Sequence, residues 1–406
     1  MNEKFILIIQ YDFPISSITT DLIKSLNENG YKVFLVLCYC KEGLFIEVKS
    51  INTKDNELLI INSFFLFKRI LNKLYSIFIS KNIRLSKFIF KLFRIDKNII
   101  NYFIVKKILD YLKKKGAKIS SVIGIEKKGV IYGGIISQIL KKPLLYYSLE
   151  LYTDEHPNNR NNLIAQKILE LEKKYHKISI ATIIQDEDRA DFLYNNNLID
   201  DKNVKIIIPV YNKGKIIEKR TNYFYDKFNI NKDKKIILYF GVINKYRNIN
   251  EIINNANRED YILLLHGLIS NDYYNSINKE KNIIISKDMV EESKIFDLIS
   301  SCHIGLAIYR QDIVNDRLTV FSSTKIAQYL KCGIPIIGWN NSNYQKLFNE
   351  FKCGELINSF ESLDNAISTI LKNYDEYKSN AFAAYNKYYN IDFTIKNLTS
   401  YLEKNL

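Results

Sequence analysis

The reading of the chain turns on the stretch Asp316-Arg-Leu-Thr-Val-Phe-Ser-Ser-Thr-Lys-Ile-Ala-Gln-Tyr-Leu-Lys-Cys-Gly-Ile-Pro-Ile-Ile-Gly-Trp-Asn340. Ser322, Ser323 and Thr324 are hydroxyl residues of the kind that cap a helix start. Ile326, Ala327, Leu330 and Cys332 supply the apolar face of that helix, and Gly333 stands where a helix end takes a left-handed residue. Ile334–Ile337 then reads as a buried strand, with Pro335 tolerated near its beginning. A helix running into such a strand is the repeating unit of a parallel α/β sheet. Free N–H groups and the positive dipole end gather at the helix N-terminus, where an anion is stabilised. Lys325, in the first turn, adds a full charge. Taken alone, the stretch fits an ordinary structural helix–strand unit equally well.

Working outward, a second loop with phosphate-binding character lies upstream at Phe240–Asn248. Gly241 allows close approach of backbone to a ligand, and Arg247, with Lys245 as a lesser candidate, carries the charge to grip a phosphate. Around these two stretches the second half predicts strands at Lys235–Phe240, Tyr261–His266, Ile283–Ile285, Ile304–Ile308, Ile334–Gly338 and Glu355–Ile357. Helices are predicted at Ile249–Ala256 and Val290–Ser301. The first half follows the same plan. Strands are predicted at Lys4–Gln10, Lys32–Cys38, Leu58–Ile61, Ser121–Ile125, Pro143–Leu149, Ala181–Gln185 and Val204–Ile208. Between them run helices at Thr20–Asn29, Ile131–Leu140 and Asn161–Ile178, and one capped by Asp186. Pro209–Gly214 is the linker candidate. The expected fold is α/β, with two doubly wound domains facing across a cleft, residues 1–212 and residues 213–385, and a final helix in 386–406, about Phe393–Glu403. The dinucleotide fingerprint Gly-x-Gly-x-x-Gly is absent after the first strand, which argues against an NAD enzyme.

At 406 residues, with 47% hydrophobic and 25% charged residues, the chain can fill two cores. The five cysteines form no Cys-x-x-Cys pair, which argues for buried thiols in a reducing compartment and against a zinc site. No signal peptide and no run of 18 apolar residues is seen. The net charge of +15 is unevenly placed: Leu58–Lys118 holds 15 Lys/Arg against Asp96 and Asp110, a net of +13. Large aliphatic and aromatic residues alternate with these cations around 64–115. That predicts basic amphipathic helices on an anionic membrane surface; a nucleic-acid partner would not want so many apolar side chains. The competing reading is a set of core helices with a solvated basic face.

The pattern Lys325-x-x-Gln328-Tyr-Leu-x-Cys-Gly333-x-Pro335, together with the Gly241…Arg247 loop and Asp288-Met289-Val290-Glu291-Glu292, resembles the donor site of GT-B glycosyltransferases. In particular it resembles the family-four-like group of bacterial surface polysaccharide synthesis. The likeness covers the second half. It is weaker in the first half, where it rests on Tyr146–Glu150, Leu171-Glu172, Ile184–Arg189 and Pro209. It implies two Rossmann-like domains, a final helix in 386–406 packing back on the first domain, and transfer of a sugar from a nucleotide donor to a glycan or lipid-linked acceptor held by the first domain. In that scheme Arg247, Lys325 and the groups around Ser322, Ser323 and Thr324 stabilise the departing diphosphate, with no metal and no cofactor. Lys287–Met289 contacts the base, and Gln328 stands where the family usually has a glutamate for the ribose. A second glutamate common in retaining members is replaced by Val320; Asp312 and Asp316 are the nearby carboxylates. Retention and inversion both stay open. An inverting reaction needs a base near the acceptor hydroxyl, for which Glu150 is the first candidate, with Asp154 and His156 as acceptor-side candidates. His266 is placed at a strand end facing the cleft, where packing and substrate contact are equally open, and Trp339 packs or lines the cleft edge.

The expected function is therefore a metal-independent glycosyltransferase, cytoplasmic and peripheral on the inner face of the cell membrane, building capsule, O-antigen (lipopolysaccharide) or another surface polysaccharide. A nucleotide-sugar epimerase of similar fold and a degenerate homologue acting as a scaffold are the alternatives.

Overall fold

The structure is a computed structural model that describes residues 5–11, 17–39, 56–62, 102–153, 162–256, 259–277 and 282–405. The chain divides into two compact units, Met1–Ile208 with Ile395–Leu406, and Pro209–Thr394.

The first unit is built on seven strands: β1 Phe5–Tyr11, β2 Lys32–Tyr39, β3 Asn56–Asn62, β4 Ile119–Ile125, β5 Leu144–Tyr147, β6 Ala181–Ile184 and β7 Val204–Ile207. They lie in the order β3-β2-β1-β4-β5-β6-β7, every pair parallel. The cause is the near-continuous apolar run of the central strands, which suits a sheet covered on both faces: Ile6, Leu7, Ile8 and Ile9 are fully buried. Helices Ser17–Glu28, Glu126–Leu140, Leu163–Lys177 and Glu187–Asn197 connect the strands. Asn162 and Asp186 cap the last two, Asp186 by accepting the Arg189 N–H. A helix over 102–115 precedes β4 and buries Ile104, Val105, Ile108 and Leu112 while Lys106 and Lys107 stay exposed. The remainder of the basic stretch, 63–101, lies outside the described residues.

Helix Lys396–Asn405 belongs to this first unit. Leu398 and Leu402 are fully buried, Asn397 Nδ2 donates to the Ile207 carbonyl at 2.8 Å, and the Tyr401 hydroxyl reaches the Ile180 carbonyl at 3.4 Å. The single helix expected over Phe393–Glu403 is two pieces, Ile391–Thr394 and Lys396–Asn405.

The second unit has strands β8 Lys235–Phe240, β9 Tyr261–His266, β10 Ile283–Ser286, β11 Ile304–Leu306, β12 Ile336–Trp339 and β13 Gly354–Ile357, in the order β10-β9-β8-β11-β12-β13. These pairs are also all parallel. The expected α/β class, with two doubly wound parallel sheets, is what the chain forms. Local expectations needed correction. The helix read over Val290–Ser301 is a 3-10 turn, Glu292–Lys294, followed by the short helix Ile295–Ser300. The strand read from Ile334 starts at Ile336, because the Ile334 N–H closes the preceding helix onto the Tyr329 carbonyl and Pro335 has no N–H to give. Gly333, at φ 64°, takes the left-handed conformation read from the sequence, and a Cβ there would come 2.4 Å from Phe382.

Cys38, Cys302, Cys332 and Cys353 are buried free thiols. Burial pushes the last three up to about 12, so they are inert as nucleophiles. No helix among the described residues is long and apolar enough to cross a membrane.

Candidate functional site

In the second unit the functional candidates gather at the carboxyl ends of β8 and β9. β8 is followed by Gly241, whose φ of 136° only glycine adopts readily, and its N–H donates to the His266 carbonyl. Gly267, leaving β9 at φ 150°, packs so closely that a Cβ would sit 1.8 Å from the Gly241 carbonyl oxygen. The two strand-end loops are thus pressed backbone to backbone. Lys325, from the first turn of helix Thr324–Lys331, reaches this point: a Cβ on Gly241 would lie 3.4 Å from its Nζ. The ammonium also stands 4.6 Å from the Tyr239 ring centre and 5.0 Å from that of Tyr309. It has no carboxylate or hydrogen-bond acceptor among the described residues. Burial pushes it down to about 7; the neighbouring Arg247 adds to that and Asp316 opposes it.

Arg247 is held by Asp316, Nη1 to Oδ2 at 2.8 Å. Ser323 caps the Lys325 helix by accepting the Ile326 N–H, and shares a 2.5 Å hydrogen bond with the Tyr309 hydroxyl. Ser322 ends the 3-10 turn Val320–Ser322 just before it, and Thr324 is the first helical residue. Gln328 follows Lys325 by three residues on the same face and is half-buried; its side-chain amide has no partner among the described residues. The structure thus brings Gly241, Arg247, Ser323, Thr324, Lys325 and Gln328 to one end of the sheet. Lys245 is exposed beside the Tyr246 ring, and Met289, past β10, is 82% exposed, so neither is fixed by its neighbours.

Val320 is fully buried, its N–H on Asn343 Oδ1 and its carbonyl under the Tyr389 hydroxyl, so that position faces the core. Of the two nearby carboxylates, Asp316 belongs to the cluster through Arg247, while Asp312 pairs with Arg310. His266 is buried, stacked on Phe240 and 2.9 Å from Ser286 Oγ. Burial and the Lys227 charge push it down to about 4, so it packs as a neutral ring. Trp339 donates its N–H to the Tyr309 carbonyl at 2.7 Å and lines a 550 Å³ surface cavity with Tyr246, Arg310 and Phe360. The sequence reading missed the two tyrosines around Lys325. Nothing in a tyrosine next to the end of a strand separates a site residue from a core one.

In the first unit Glu150 follows β5 and is half-buried. The backbone leading to it is held almost atom by atom. The Ser148 N–H donates to the Ile183 carbonyl, and the Ser148 carbonyl accepts from Gln185 Nε2 at 2.6 Å. The Leu149 and Glu150 N–H groups both donate to one oxygen of Glu126, at 2.5 and 2.9 Å. Arg189, fully buried, donates to the Leu149 carbonyl at 2.8 Å, and Lys127 to the Glu150 carbonyl at 3.2 Å. Asp154 and His156 lie outside the described residues. No group of metal-ligating side chains occurs among the described residues.

The family profile described as "Glucosyltransferase 3-like, C-terminal domain" matches residues 237–400. No curated protein matches the chain in sequence. Among solved structures, Anabaena Alr3699/HepE in complex with UDP superposes with a TM-score of 0.67 at 12% identity, over 99% of this chain and 100% of that one. Sucrose-phosphate synthase from Thermosynechococcus elongatus gives 0.67 at 14% identity over 99% of each chain. A glycosyltransferase from Rickettsia africae gives 0.66 at 16% identity over 100% of each. The fold is that of GT-B glycosyltransferases, and the matched profile includes Arg247 and Lys325.

Proposed function

We propose that the chain is a glycosyltransferase that moves a sugar from a nucleoside-diphosphate sugar to a glycan or lipid-linked acceptor in the synthesis of a surface polysaccharide such as capsule or O-antigen. The observation that carries the reading is the convergence of the Gly241 loop, Arg247 and the capped N-terminus of helix Thr324–Lys331 on one point, with the Lys325 ammonium enclosed there beside no anion of its own. A buried cation of this kind is completed by a ligand's negative charge. The solved complexes of Alr3699/HepE with UDP and with UDP-glucose support a nucleotide sugar as that ligand.

In this reading the diphosphate binds across Lys325, Arg247 and the free N–H groups of the helix start. As the glycosidic bond breaks, charge grows on the leaving phosphate oxygen where fixed positive groups already stand, and no metal is required. Asp316 holds the guanidinium in place, and Gln328 hydrogen-bonds the ribose. Ser322, Ser323 and Thr324 shape the turn. Met289 and its neighbours cover the base, and Lys245 adds long-range attraction. Glu150 takes the proton from the acceptor hydroxyl, with Asp154 and His156 beside it in sequence. The basic residues between 58 and 118 draw the chain to the anionic inner face of a membrane, where a lipid-linked acceptor is presented.

The test is a thermal-shift screen of UDP, GDP, TDP, ADP and CMP against wild type, Arg247→Ala and Lys325→Ala. A nucleotide at 100 times its dissociation constant stabilises by about 2.7 kcal/mol. The expected outcome is one nucleotide that shifts wild type and neither variant; absence of any shift in wild type would sink the donor-site reading. Product analysis with the corresponding nucleotide sugar then separates transfer from epimerisation, which releases an altered nucleotide sugar.

A further inference from the structure

Glu126 has no part in the reading above, yet its backbone and its carboxylate are both tightly held. It opens helix Glu126–Leu140 directly after β4 with φ 63°. Five other described non-glycine residues have positive φ. Lys141, Leu198, Asn229 and Lys352 are left-handed helix C-caps, and Asn248 is an asparagine at a helix start. Those are the usual uses of the conformation. Glu126 is neither, and a long side chain held there marks a place where the surroundings overdetermine the backbone. The surroundings are visible. A Cβ on Gly129 would meet the Ile9 carbonyl oxygen at 2.6 Å, and one on Gly124 would meet the Gly129 carbonyl oxygen at 2.6 Å. Strand β4, the turn and the helix are thus pressed against β1. This is where the strand order reverses, between β1 and β4, at the carboxyl ends of the strands. Open α/β sheets bind their ligands at such points.

The contorted backbone turns the carboxylate sideways toward the segment after β5. One oxygen takes both the Leu149 and the Glu150 N–H, and the side chain is only 5% exposed. With Arg189 on the Leu149 carbonyl, Lys127 on the Glu150 carbonyl and Gln185 on the Ser148 carbonyl, the peptide backbone of Ser148-Leu149-Glu150 is clamped from both sides. We infer that Glu126 is a positioning residue that fixes the Glu150 backbone, and with it the carboxylate that accepts the acceptor's proton; this rests on the role given to Glu150 under Proposed function. A helix-to-loop tie needed only for folding would be served by any acceptor that suits the turn. A strained, buried, charged acceptor aimed at two adjacent N–H groups fixes one peptide in one orientation. The charged or titratable groups facing Glu126 are Lys127 on its own helix, Glu150 on the loop after β5, Tyr146 on β5 and Arg189 on helix Glu187–Asn197. Burial pushes the Glu126 carboxyl up to about 7; the Glu150 charge adds to this, while Lys127 and the two N–H groups oppose it. Below that pH the carboxyl is protonated, a weaker acceptor, and the clamp slackens.

The experiment compares wild type, Glu126→Gln, Glu126→Ala and Glu150→Gln, full-length, in two measurements. The first needs no ligand: hydrogen–deuterium exchange of the backbone around 148–150. Glu126→Ala is expected to raise exchange at Leu149 and Glu150 at least tenfold, while Glu126→Gln, a neutral oxygen acceptor like the protonated carboxyl, falls between wild type and Glu126→Ala. The second is UDP release from UDP-glucose between pH 5.5 and 8.5. Wild type is expected to lose rate as pH falls through about 7, Glu126→Gln to lack that limb, and Glu126→Ala to fall at least tenfold in kcat with the KM for UDP-glucose unchanged. Unchanged exchange in Glu126→Ala overturns the clamp, whatever the turnover shows. Altered exchange together with a wild-type pH limb in Glu126→Gln reduces Glu126 to a structural role and overturns the inference. Full turnover by Glu150→Gln, or none by wild type, counts against the reading of Glu150 or of the donor, and leaves the exchange measurement to decide the clamp.

Discussion

Three histidines set how the protein meets acid. Burial pushes His176 down to about 3, His303 to about 2 and His266 to about 4. Each has its folded value below the ordinary 6.5, so as pH drops under 6.5 the unfolded chain takes up protons that the folded chain refuses. Stability is therefore full above 6.5 and is lost by about 1.4 kcal/mol per pH unit for each such histidine. Urea midpoints measured at pH 7.5, 6.5 and 5.5 are expected to fall slightly across the first step and about three times as far across the second; a level second step contradicts the buried neutral rings. At this scale the sequence was legible where residue type is itself the message. Glycine before a basic loop, and lysine just after three hydroxyls, name Gly241, Arg247 and Lys325 without a structure. Glu126 was not legible, because its role is set by residues 23 and 24 positions onward and by a backbone angle that no glutamate announces. His266 was read as an even choice between packing and substrate contact, and Ser286 and Phe240 decide for packing.

Among elements, helix Thr324–Lys331 depends on its cap. Ser323 Oγ accepts the Ile326 N–H and also meets the Tyr309 hydroxyl, whereas Thr324 is inside the first turn. Ser323→Ala is expected to cost about 1 kcal/mol, and Thr324→Ala a fraction of that. The single tryptophan, Trp339, lies in the same unit, so urea unfolding followed by its fluorescence reads the difference. Equal losses would mean that the cap is not at Ser323. The central strands were legible because they hold unbroken apolar runs, such as Phe5–Ile9, Val33–Tyr39 and Ile236–Phe240, the signature of a parallel sheet buried on both faces. Helices Ser342–Phe351, Leu363–Lys372 and Tyr374–Ala384 were not drawn from the sequence. The buried faces of the first and last use Tyr344 and Tyr377, spaced among Asn, Lys and Glu, which look like surface until packed, whereas Leu363–Lys372 buries a plain aliphatic face of Leu363, Ala366, Ile367 and Ile370. The helix over Val290–Ser301 erred the other way: regular helix is confined to Ile295–Ser300, with only a 3-10 turn over Glu292–Lys294 before it.

For the molecule as a whole, the first unit is discontinuous in sequence, since Ile395–Leu406 joins Met1–Ile208. Ile395, Leu398 and Leu402 are buried there, and fully buried aliphatic side chains contribute about 1.5–3 kcal/mol each. Deleting residues 395–406 is expected to destabilise the first unit by several kcal/mol while leaving the second intact. The deletion should lower the midpoint seen by far-ultraviolet circular dichroism and leave the Trp339 fluorescence midpoint in place. Movement of both midpoints together would show one cooperative block. Two α/β halves were legible from repeated strand–helix alternation. The sheet joined by the final helix was suggested by family likeness alone, since an amphipathic ten-residue helix carries no address in its own pattern.

That late helix has a consequence for how the protein is made. The face of the first unit that Leu398 and Leu402 cover is synthesised early, and its cover leaves the ribosome only after residues 209–394 have been added. At about 5–20 residues per second the wait is on the order of ten seconds or more. For that interval the nascent chain shows an uncovered apolar surface to the cytosol, a binding site for a chaperone that a finished copy no longer offers.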